Sequence, residues 1–487
     1  MNNIVRVSDI IGEDYKTWTN EECIFIEAGT DTGKSYFIKN ILYEYCKENN
    51  KKILLLSNRD NLKQQNLNET KDKTNVITCM NYQQMEYQNK YEWKMLLDTY
   101  VWACDFDYVV MDECQYFMLD STFSQFTDLA LYNILQFKKP IKIFMSATPT
   151  LIKQYLEDIK VPIKEYKLEK DYSYINRVVF YYDQKLIEEN VLDKLETNEK
   201  MLYFLRSAER AYDLHKKHKN SSFICSKYNK TYSKYICQDE LDSIIENEKF
   251  NNQILFTTLC MDNGINIKDK DIKYIACDID DVDNLLQAIG RYRRIDSTSE
   301  ITVFIKAKGN EYLGGIMTTN NKLLKIAEEL DKLGTVEFIK HHPREDYSRI
   351  IYDVVDENDN NNIYKKVHEI MRVKCKERVM FAEKCIDLGK DGFCKFIIPY
   401  FNRGEYEILD DSLTRMTIDE YLESIVGKEL LKEDQVKLKE VFKDNGLNDK
   451  TMGIHTLNGK LKDIGSRFKI VAKRTSKQRF WTIQVAN

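Results

Sequence analysis

Residues Ala28-Gly-Thr-Asp-Thr-Gly33-Lys34-Ser35 stand between the apolar run Cys23-Ile-Phe-Ile26 and the segment Tyr36-Phe-Ile-Lys-Asn-Ile-Leu42. Strand, loop and helix follow one another, and that order predicts a phosphate-binding loop. A loop entering a helix N-terminus aims several backbone N–H groups at one point, and the helix dipole adds positive potential there. Lys34 can reach terminal phosphates, and the Ser35 hydroxyl can ligate magnesium. No glycine occurs between Gly33 and Gly264. A chain this sparing of glycine still places one where backbone must pass close to phosphate.

Outward from this loop, short apolar runs recur at Cys23–Ile26, Ile53–Ser57, Val76–Cys79, Tyr108–Met111 and Ile141–Met145. Each ends in polar residues, and helical stretches separate them. Such spacing predicts a parallel sheet covered on both faces, with ligands at the carboxyl ends of the strands. The pattern restarts at Arg177–Tyr181, Met201–Leu205, Phe223–Cys225, Ile254–Thr257, Tyr274–Cys277 and Ile301–Ile305. The expected fold class is α/β, with two units of similar plan over 1–165 and 166–308. The stretch Glu157–Tyr172 is the expected linker.

Beyond residue 308 the pattern turns helical, and 309–405 is expected to be an accessory region. Leu323, Leu324, Ile326, Ala327, Leu330 and Leu333 recur at helical spacing, and Ile363–Leu388 reads as another long helix. Asp356–Asn362 is a polar loop, and Thr417-Ile-Asp-Glu420 has capping-box spacing. The last region, 406–487, turns basic. A helix over Thr456–Ile464, strands over Arg467–Val471 and Arg479–Val485, and a turn over Lys473–Lys477 fit either a winged-helix-like module or a plain α/β cap. Lys473 and Arg474 would meet a phosphate backbone there, while Phe480 and Trp481 anchor the hairpin.

Composition bounds the partners. The net charge of -5 over 487 residues does not exclude nucleic acid, because a local basic groove can sit on an acidic body. The 12 cysteines include no Cys-x-x-Cys pair, and Cys375, Cys385 and Cys394 with His341, His342 and His368 fit no zinc spacing. Free thiols in a reducing compartment are expected. With no apolar leader and no run near the roughly 20 residues of a membrane span, a soluble cytoplasmic protein without a membrane partner is expected.

Two further segments carry chemistry. Tyr108–Met111 runs into Asp112-Glu113-Cys114-Gln115, and adjacent carboxylates at the end of a buried strand make a poor core but a good magnesium site. Asp112 can hold the ion partly through water, and Glu113 can take a proton from an attacking water. Ser146-Ala-Thr148 follows the next strand. Near the end of the second unit, Thr257-Thr258, Gly264 and Asn266 precede Gln287-Ala-Ile-Gly290-Arg291-Tyr-Arg293-Arg294. On a helix, Gln287, Arg291 and Arg294 share one face and could reach a triphosphate from the opposite side.

Taken together, and in this order, these segments resemble the motif set of superfamily 2 helicases of the DEAD/DEAH-box-like group, in a DExQ variant, over about residues 5–308. The resemblance implies two tandem RecA-like domains with ATP and Mg2+ in the cleft and a nucleic-acid strand across both. It implies nucleotide contacts from Gly29, Thr30, Asp31, Thr32, Gly33, Lys34, Ser35, Gly264 and Asn266, with the metal at Ser35 and Asp112. Lys34, Glu113, Gln287, Arg291 and Arg294 would be catalytic, and Gln115, Ser146 and Thr148 would couple hydrolysis to movement. Asn58, Arg59, Thr78, Arg206 and Thr257 correspond to segments that grip the strand.

Departures stand out. Asp31 occupies a position where most relatives have glycine, Gln115 replaces the last Asp or His of the box, and Asn266 sits where many relatives have Asp. No glutamine precedes Gln64, so the upstream adenine-reading glutamine of DEAD-box RNA helicases is missing. The expectation is an ATP-hydrolysing helicase or translocase, on DNA rather than RNA. An RNA helicase, or an ATP-gated clamp that does not unwind, are the alternatives.

Overall fold

The computed structural model describes residues 5–29, 32–58, 60–85, 105–122, 124, 126–259, 266–296, 299–347, 349–356, 362–409, 418–444, 447, 452–474 and 479–485. They fall into two compact units, Met1–Leu409 and Asp410–Asn487.

The first unit contains two parallel sheets. One is built from β1 (Cys23–Glu27), β2 (Ile53–Ser57), β3 (Ile77–Asn81), β4 (Tyr108–Asp112), β5 (Ile141–Ser146) and β6 (Ile163–Lys167) in the order β3-β2-β4-β5-β1-β6. Alternate side chains feed two cores. Ile24, Ile26, Val110, Ile143 and Met145 enter one, while Phe25, Val109, Met111 and Phe144 enter the other. A strand buried on both faces needs apolar residues at every position, which is why these runs lack a polar alternate. The pairing Asp112↔Met145 and Glu27↔Ser146 sets the ends of β4, β5 and β1 side by side. The three loops that follow them therefore share one edge of the sheet.

The second sheet comprises β7 (Ile175–Tyr181), β8 (Lys200–Leu205), β9 (Ser221–Ile224), β10 (Ile254–Thr257), β11 (Ile272–Asp278) and β12 (Ile301–Lys306), with a late strand β15 (Glu407–Leu409). Their order is β15-β7-β12-β11-β8-β10-β9. Strand β15 joins the edge from far downstream in the sequence, and three residues carry no periodicity to announce it.

Two expectations need correction. Part of the supposed linker is strand β6, which pairs with β1 from Cys23↔Ile163 to Glu27↔Lys167. Its Lys164, Glu165 and Lys167 made it look like a loop, but an edge strand tolerates them. The long helix expected over Ile363–Leu388 begins later, at Glu369, and ends at Asp387. Residues Asn362–Val367 instead form β14, paired antiparallel with β13 (Ile351–Asp356). Before this hairpin lies the helix Asn310–His341, kinked at Gly334, whose φ of 69° is left-handed.

The second unit holds helices Ile418–Ser424, Lys432–Asp444 and Ile454–Asp463 and the hairpin β16 (Phe468–Arg474) and β17 (Arg479–Val485). Two isolated bridges, Val426↔Ile483 and Leu430↔Trp481, tie the segment between its first two helices to the hairpin. Asn458 clamps the last helix to the hairpin, donating to the Ile470 carbonyl and accepting from its N–H, both at 2.8 Å. Phe480 is buried, and Trp481 packs on the core with the Lys439 ammonium 5.4 Å from its ring centre. Both rings anchor the hairpin. Lys473 and Arg474 belong to β16, not to a turn, and Thr417 lies outside the described residues.

Phe25 and Phe144 stack at 5.4 Å between adjacent strands β1 and β5. Phe144→Ala is expected to cost about 3–5 kcal/mol, read as a lower denaturant midpoint, with Phe144→Leu costing clearly less.

Candidate functional site

The phosphate loop depends on Gly33, whose φ of 89° only glycine adopts without strain. It lets the chain turn into a continuous helix made of Lys34–Tyr36, a π-helical stretch Phe37–Leu42, and Tyr43–Glu48. Inside the loop, the Thr32 hydroxyl donates to the Gly29 carbonyl at 2.7 Å. The buried Lys34 ammonium donates to the carbonyls of Ala28 and Gly29 at 2.6 and 2.7 Å. Burial pulls this lysine below its usual range, and the charges of Glu113 and Asp112 act against that pull. Ser35 stands beside it, half-buried. Thr30 and Asp31 lie outside the described residues.

At the end of β4, Asp112 is buried, and its backbone carbonyl accepts from the Tyr82 hydroxyl at 2.9 Å. Burial first, and the neighbouring Glu113 second, push its carboxyl up to about 6. Glu113 adopts a φ of 54°, a conformation that costs a residue with a side chain of order 1 kcal/mol or more. That turn throws the Glu113 side chain out of the strand direction, toward the loop edge.

From Glu113 a hydrogen-bonded relay runs across the molecule. The Gln115 amide donates to the Glu113 carboxylate at 2.7 Å and accepts from the Ser146 hydroxyl at 2.5 Å. The Thr148 N–H donates to the same Ser146 oxygen at 2.8 Å. The Gln287 side-chain amide, from the other sheet's half of the unit, donates to the Thr148 hydroxyl at 3.0 Å. Three coupling candidates and two catalytic ones are thus one chain of contacts, and every link is buried or half-buried. An amide suits the middle position because it donates and accepts at once.

The arginines are arranged differently from the expectation. The helix that carries Gln287 spans Val282–Ile289 and stops, so Arg291 and Arg294 do not continue its face. An isolated bridge, Ile267↔Tyr292, takes over. Arg291 is buried, and its Nε has no hydrogen-bond partner among the described residues. Arg293 donates from Nε to the Asn266 side chain at 2.9 Å, and its charge is felt at Lys34. Arg294 faces another way, donating to the Asp296 carbonyl at 2.7 Å and to Ser173 at 3.2 Å, with Asp171 at 3.7 Å.

Two contributors carried no signal or a misread one. Arg293 sits inside the quoted run, and its place in the site depends on the helix ending at Ile289. Lys170, in the stretch between the sheets, lies so close that a Cβ on Gly29 would meet its Cγ at 3.8 Å. Its charge also opposes that of Lys34, and nothing in its sequence neighbourhood marks it.

The strand-gripping candidates scatter. Asn58 is buried, with its backbone carbonyl accepting from Gln83 at 2.8 Å. Thr257 is fully buried, and its hydroxyl turns to the Thr258 carbonyl at 3.3 Å. Thr78 is exposed on β3, and Lys473 and Arg474 are exposed on β16. Arg206 keeps an exposed side chain while donating to the Tyr312 hydroxyl at 2.5 Å. Arg59 and Gly264 lie outside the described residues. Among the described residues no three His, Cys, Asp or Glu gather as a metal cluster, and no helix is long and apolar enough to cross a membrane.

Comparison with known families accords with this geometry. The family described as type III restriction enzyme, res subunit, matches residues 4–151, and the helicase conserved C-terminal domain matches 183–296. The chain belongs to helicase superfamily 2. Its two parallel sheets accord with the tandem lobes that the resemblance implies, and a region of helices and strands follows them. No curated protein matches the sequence. Among solved structures, the chain is similar to S. cerevisiae Dbp5 bound to RNA and ADP BeF3, at 16% identity and a TM-score of 0.41, over 58% of this chain and 78% of that one. It is also similar to the Mycobacterium smegmatis helicase Lhr bound to ssDNA and AMP-PNP, at 12% identity and a TM-score of 0.42, over 65% and 47%.

The raised Asp112 carboxyl has a sign that can be checked. Between the ordinary aspartate value of 3.8 and about 6, the folded chain holds a proton that the unfolded chain has lost. Stability therefore falls as pH rises through this window, and above it the buried charge costs up to about 3 kcal/mol. Asp112→Asn is expected to raise the unfolding midpoint at pH 7.5, and the gain should vanish near pH 4. Denaturant titrations at both pH values read it directly.

Proposed function

We propose that this superfamily 2 chain is an ATP-driven helicase or translocase acting on DNA, with a first lobe that runs through β6, a second lobe built on β7 to β12 and β15, an accessory region that begins at residue 309, and a nucleic-acid-binding module over 410–487. The relay from Glu113 to Gln287 carries the proposal. A water-activating carboxylate and a group on the opposite lobe share one line of hydrogen bonds, so a change at either end alters the other.

The donor set suits ATP with magnesium. Asp112 and Ser35 offer the hard oxygen ligands this ion takes alongside phosphate and water. The bound ion would neutralise charge on the phosphates. Lys34 exchanges the carbonyls of Ala28 and Gly29 for phosphate oxygens, and the loop's N–H groups take the rest. Glu113 accepts a proton from the attacking water, oriented by Gln115. Arg291 and Arg293 supply positive charge from the second lobe, while Arg294 steadies the inter-lobe stretch at Asp171 and Ser173. Asn266 aims Arg293.

DNA is favoured over RNA by the missing upstream glutamine and by the last unit. Its order of helix, bridged segment, two helices and hairpin is compatible with a winged helix, with Lys473 and Arg474 exposed on the hairpin. Thr78 and Arg206 would add backbone contacts from the lobes. An ATP-gated clamp is the second proposal, favoured by the Gln287–Thr148 contact, which ties the lobes together.

ATP turnover by the full chain is expected to rise with single-stranded or forked DNA. Glu113→Gln should cut turnover at least about 100-fold while ATP affinity stays within about threefold. Stimulation by RNA but not by DNA would assign RNA as the substrate. DNA-stimulated hydrolysis without strand displacement would favour the clamp.

Thr148→Val removes the acceptor for Gln287 while keeping its shape. It should lower nucleic-acid-stimulated kcat about tenfold, with KM for ATP nearly unchanged. A rise in KM alone would show that the relay serves binding and not turnover.

A further inference from the structure

The helix Glu369–Asp387 carries none of the motifs, yet it touches both lobes. Near its start, Ile370 is fully buried in the first-lobe core that also contains Phe117, Met118 and Leu151. Toward its end, Phe381, Ala382 and Cys385 lie in the second-lobe core with Phe180 and Cys277. A rod of 19 residues, about 28 Å long, is thus keyed into both halves of the motor.

Its middle carries two cations aimed at one place. The buried Lys374 ammonium donates to Oδ2 of Asp281 at 2.6 Å. The Arg378 guanidinium bonds the Asp280 carboxylate and donates to its carbonyl at 3.2 Å. Asp281 is not an incidental partner. Its other oxygen, Oδ1, accepts from the Asn284 N–H at 3.1 Å and so caps the helix Val282–Ile289. That helix presents Gln287, which reaches across to Thr148. One carboxylate thus links the accessory rod to the helix that ends the relay.

A buried ammonium–carboxylate pair adds little net stability, because desolvation offsets most of the attraction, and an apolar pair would pack as well. What it fixes is direction: the ammonium holds the capping carboxylate, and the carboxylate holds the first turn of the Gln287 helix. We infer that Lys374 is a positioning residue that sets the contact between Gln287 and Thr148, making the accessory helix part of the coupling device. The inference rests on the motor assignment above and extends it to a region without motifs.

A double-mutant cycle in the full chain tests this. Lys374→Met keeps side-chain length and removes the charge. It should lower nucleic-acid-stimulated kcat about tenfold, the scale of one lost coupling contact, with KM for ATP within about twofold. In the Thr148→Val background the same change should have no further effect. Asp281→Asn keeps the cap while weakening the pair, since asparagine caps as well as aspartate, and should reproduce Lys374→Met. It also serves if the lysine variant folds poorly.

Amide hydrogen exchange reads the same contact without turnover. Lys374→Met should speed exchange across Val282–Ile289 by about tenfold while β11 keeps its protection. Effects that multiply independently in the double mutant would overturn the proposal, as would a KM change with kcat intact or unaltered exchange in that helix. A wild-type chain that hydrolyses no ATP with any nucleic acid would remove the motor assignment alone. The exchange result would then decide this one.

Discussion

Two carboxylates at the end of a buried strand must answer to a cation, and this constraint organises the first lobe. Asp112 and Glu113 adjoin because β4 ends there, and Lys34 comes to them because the sheet order sets β1 two strands away across β5. The Lys34 ammonium is held by loop carbonyls, and burial with the neighbouring Glu113 raises the Asp112 carboxyl. The site is uncomfortable as it stands. The proposed ATP with magnesium would relieve both sides at once, the phosphate meeting the lysine and the metal the aspartate.

The same adjacency explains why the relay exists. Ser146 ends β5, between the strands that carry the other two loops, so its hydroxyl is equidistant in the chain of contacts from Glu113 and Gln287. Each link has a fixed direction of donation, from Gln287 toward Glu113. A histidine or aspartate at position 115 could not donate and accept on this line irrespective of its protonation state, whereas a glutamine can. The departure at Gln115 is therefore coherent with its neighbours and need not weaken coupling.

Much of this was legible in the sequence, for definite reasons. Strands buried on both faces are dense in Ile, Val, Leu and Phe, so β1, β2, β4, β5 and β8 stood out, and the loops after them carried residues that make no sense as core. Strand β6 was hidden because an edge strand needs no apolar alternation, and β15 because three residues cannot show a period. Hairpin β13–β14 was hidden because Ile363, Tyr364 and Val367 also satisfy helical spacing. In the site, Lys34, Asp112, Glu113 and Gln287 could be placed from strand ends and spacing. The choice among Arg291, Arg293 and Arg294 could not, because it turned on where a helix stops. The helix ends at Ile289 before Gly290, and the Ile267↔Tyr292 bridge, a tertiary contact, holds the segment that follows. Lys170 and Lys374 were invisible for the same reason: single lysines acquire meaning only from what packs against them.

The accessory helix changes how lobe motion must be understood. A cleft whose walls are joined only by a linker opens freely, with cost set by the linker. Here a helix is inserted in both cores, so any opening that withdrew Ile370 from one or Phe381 from the other would expose apolar surface. The two ends are not equal. The second-lobe end carries the ion pairs at Asp280 and Asp281 in addition to its apolar contacts, while the first-lobe end relies on Ile370 and Val373 and on the looser approach of His368 to Asp128 at 3.6 Å. The helix should therefore travel with the second lobe and slide or release at the first. Motion of the proposed motor then becomes a choice between two packings of one short apolar contact, which is a discrete step and not a continuous swing.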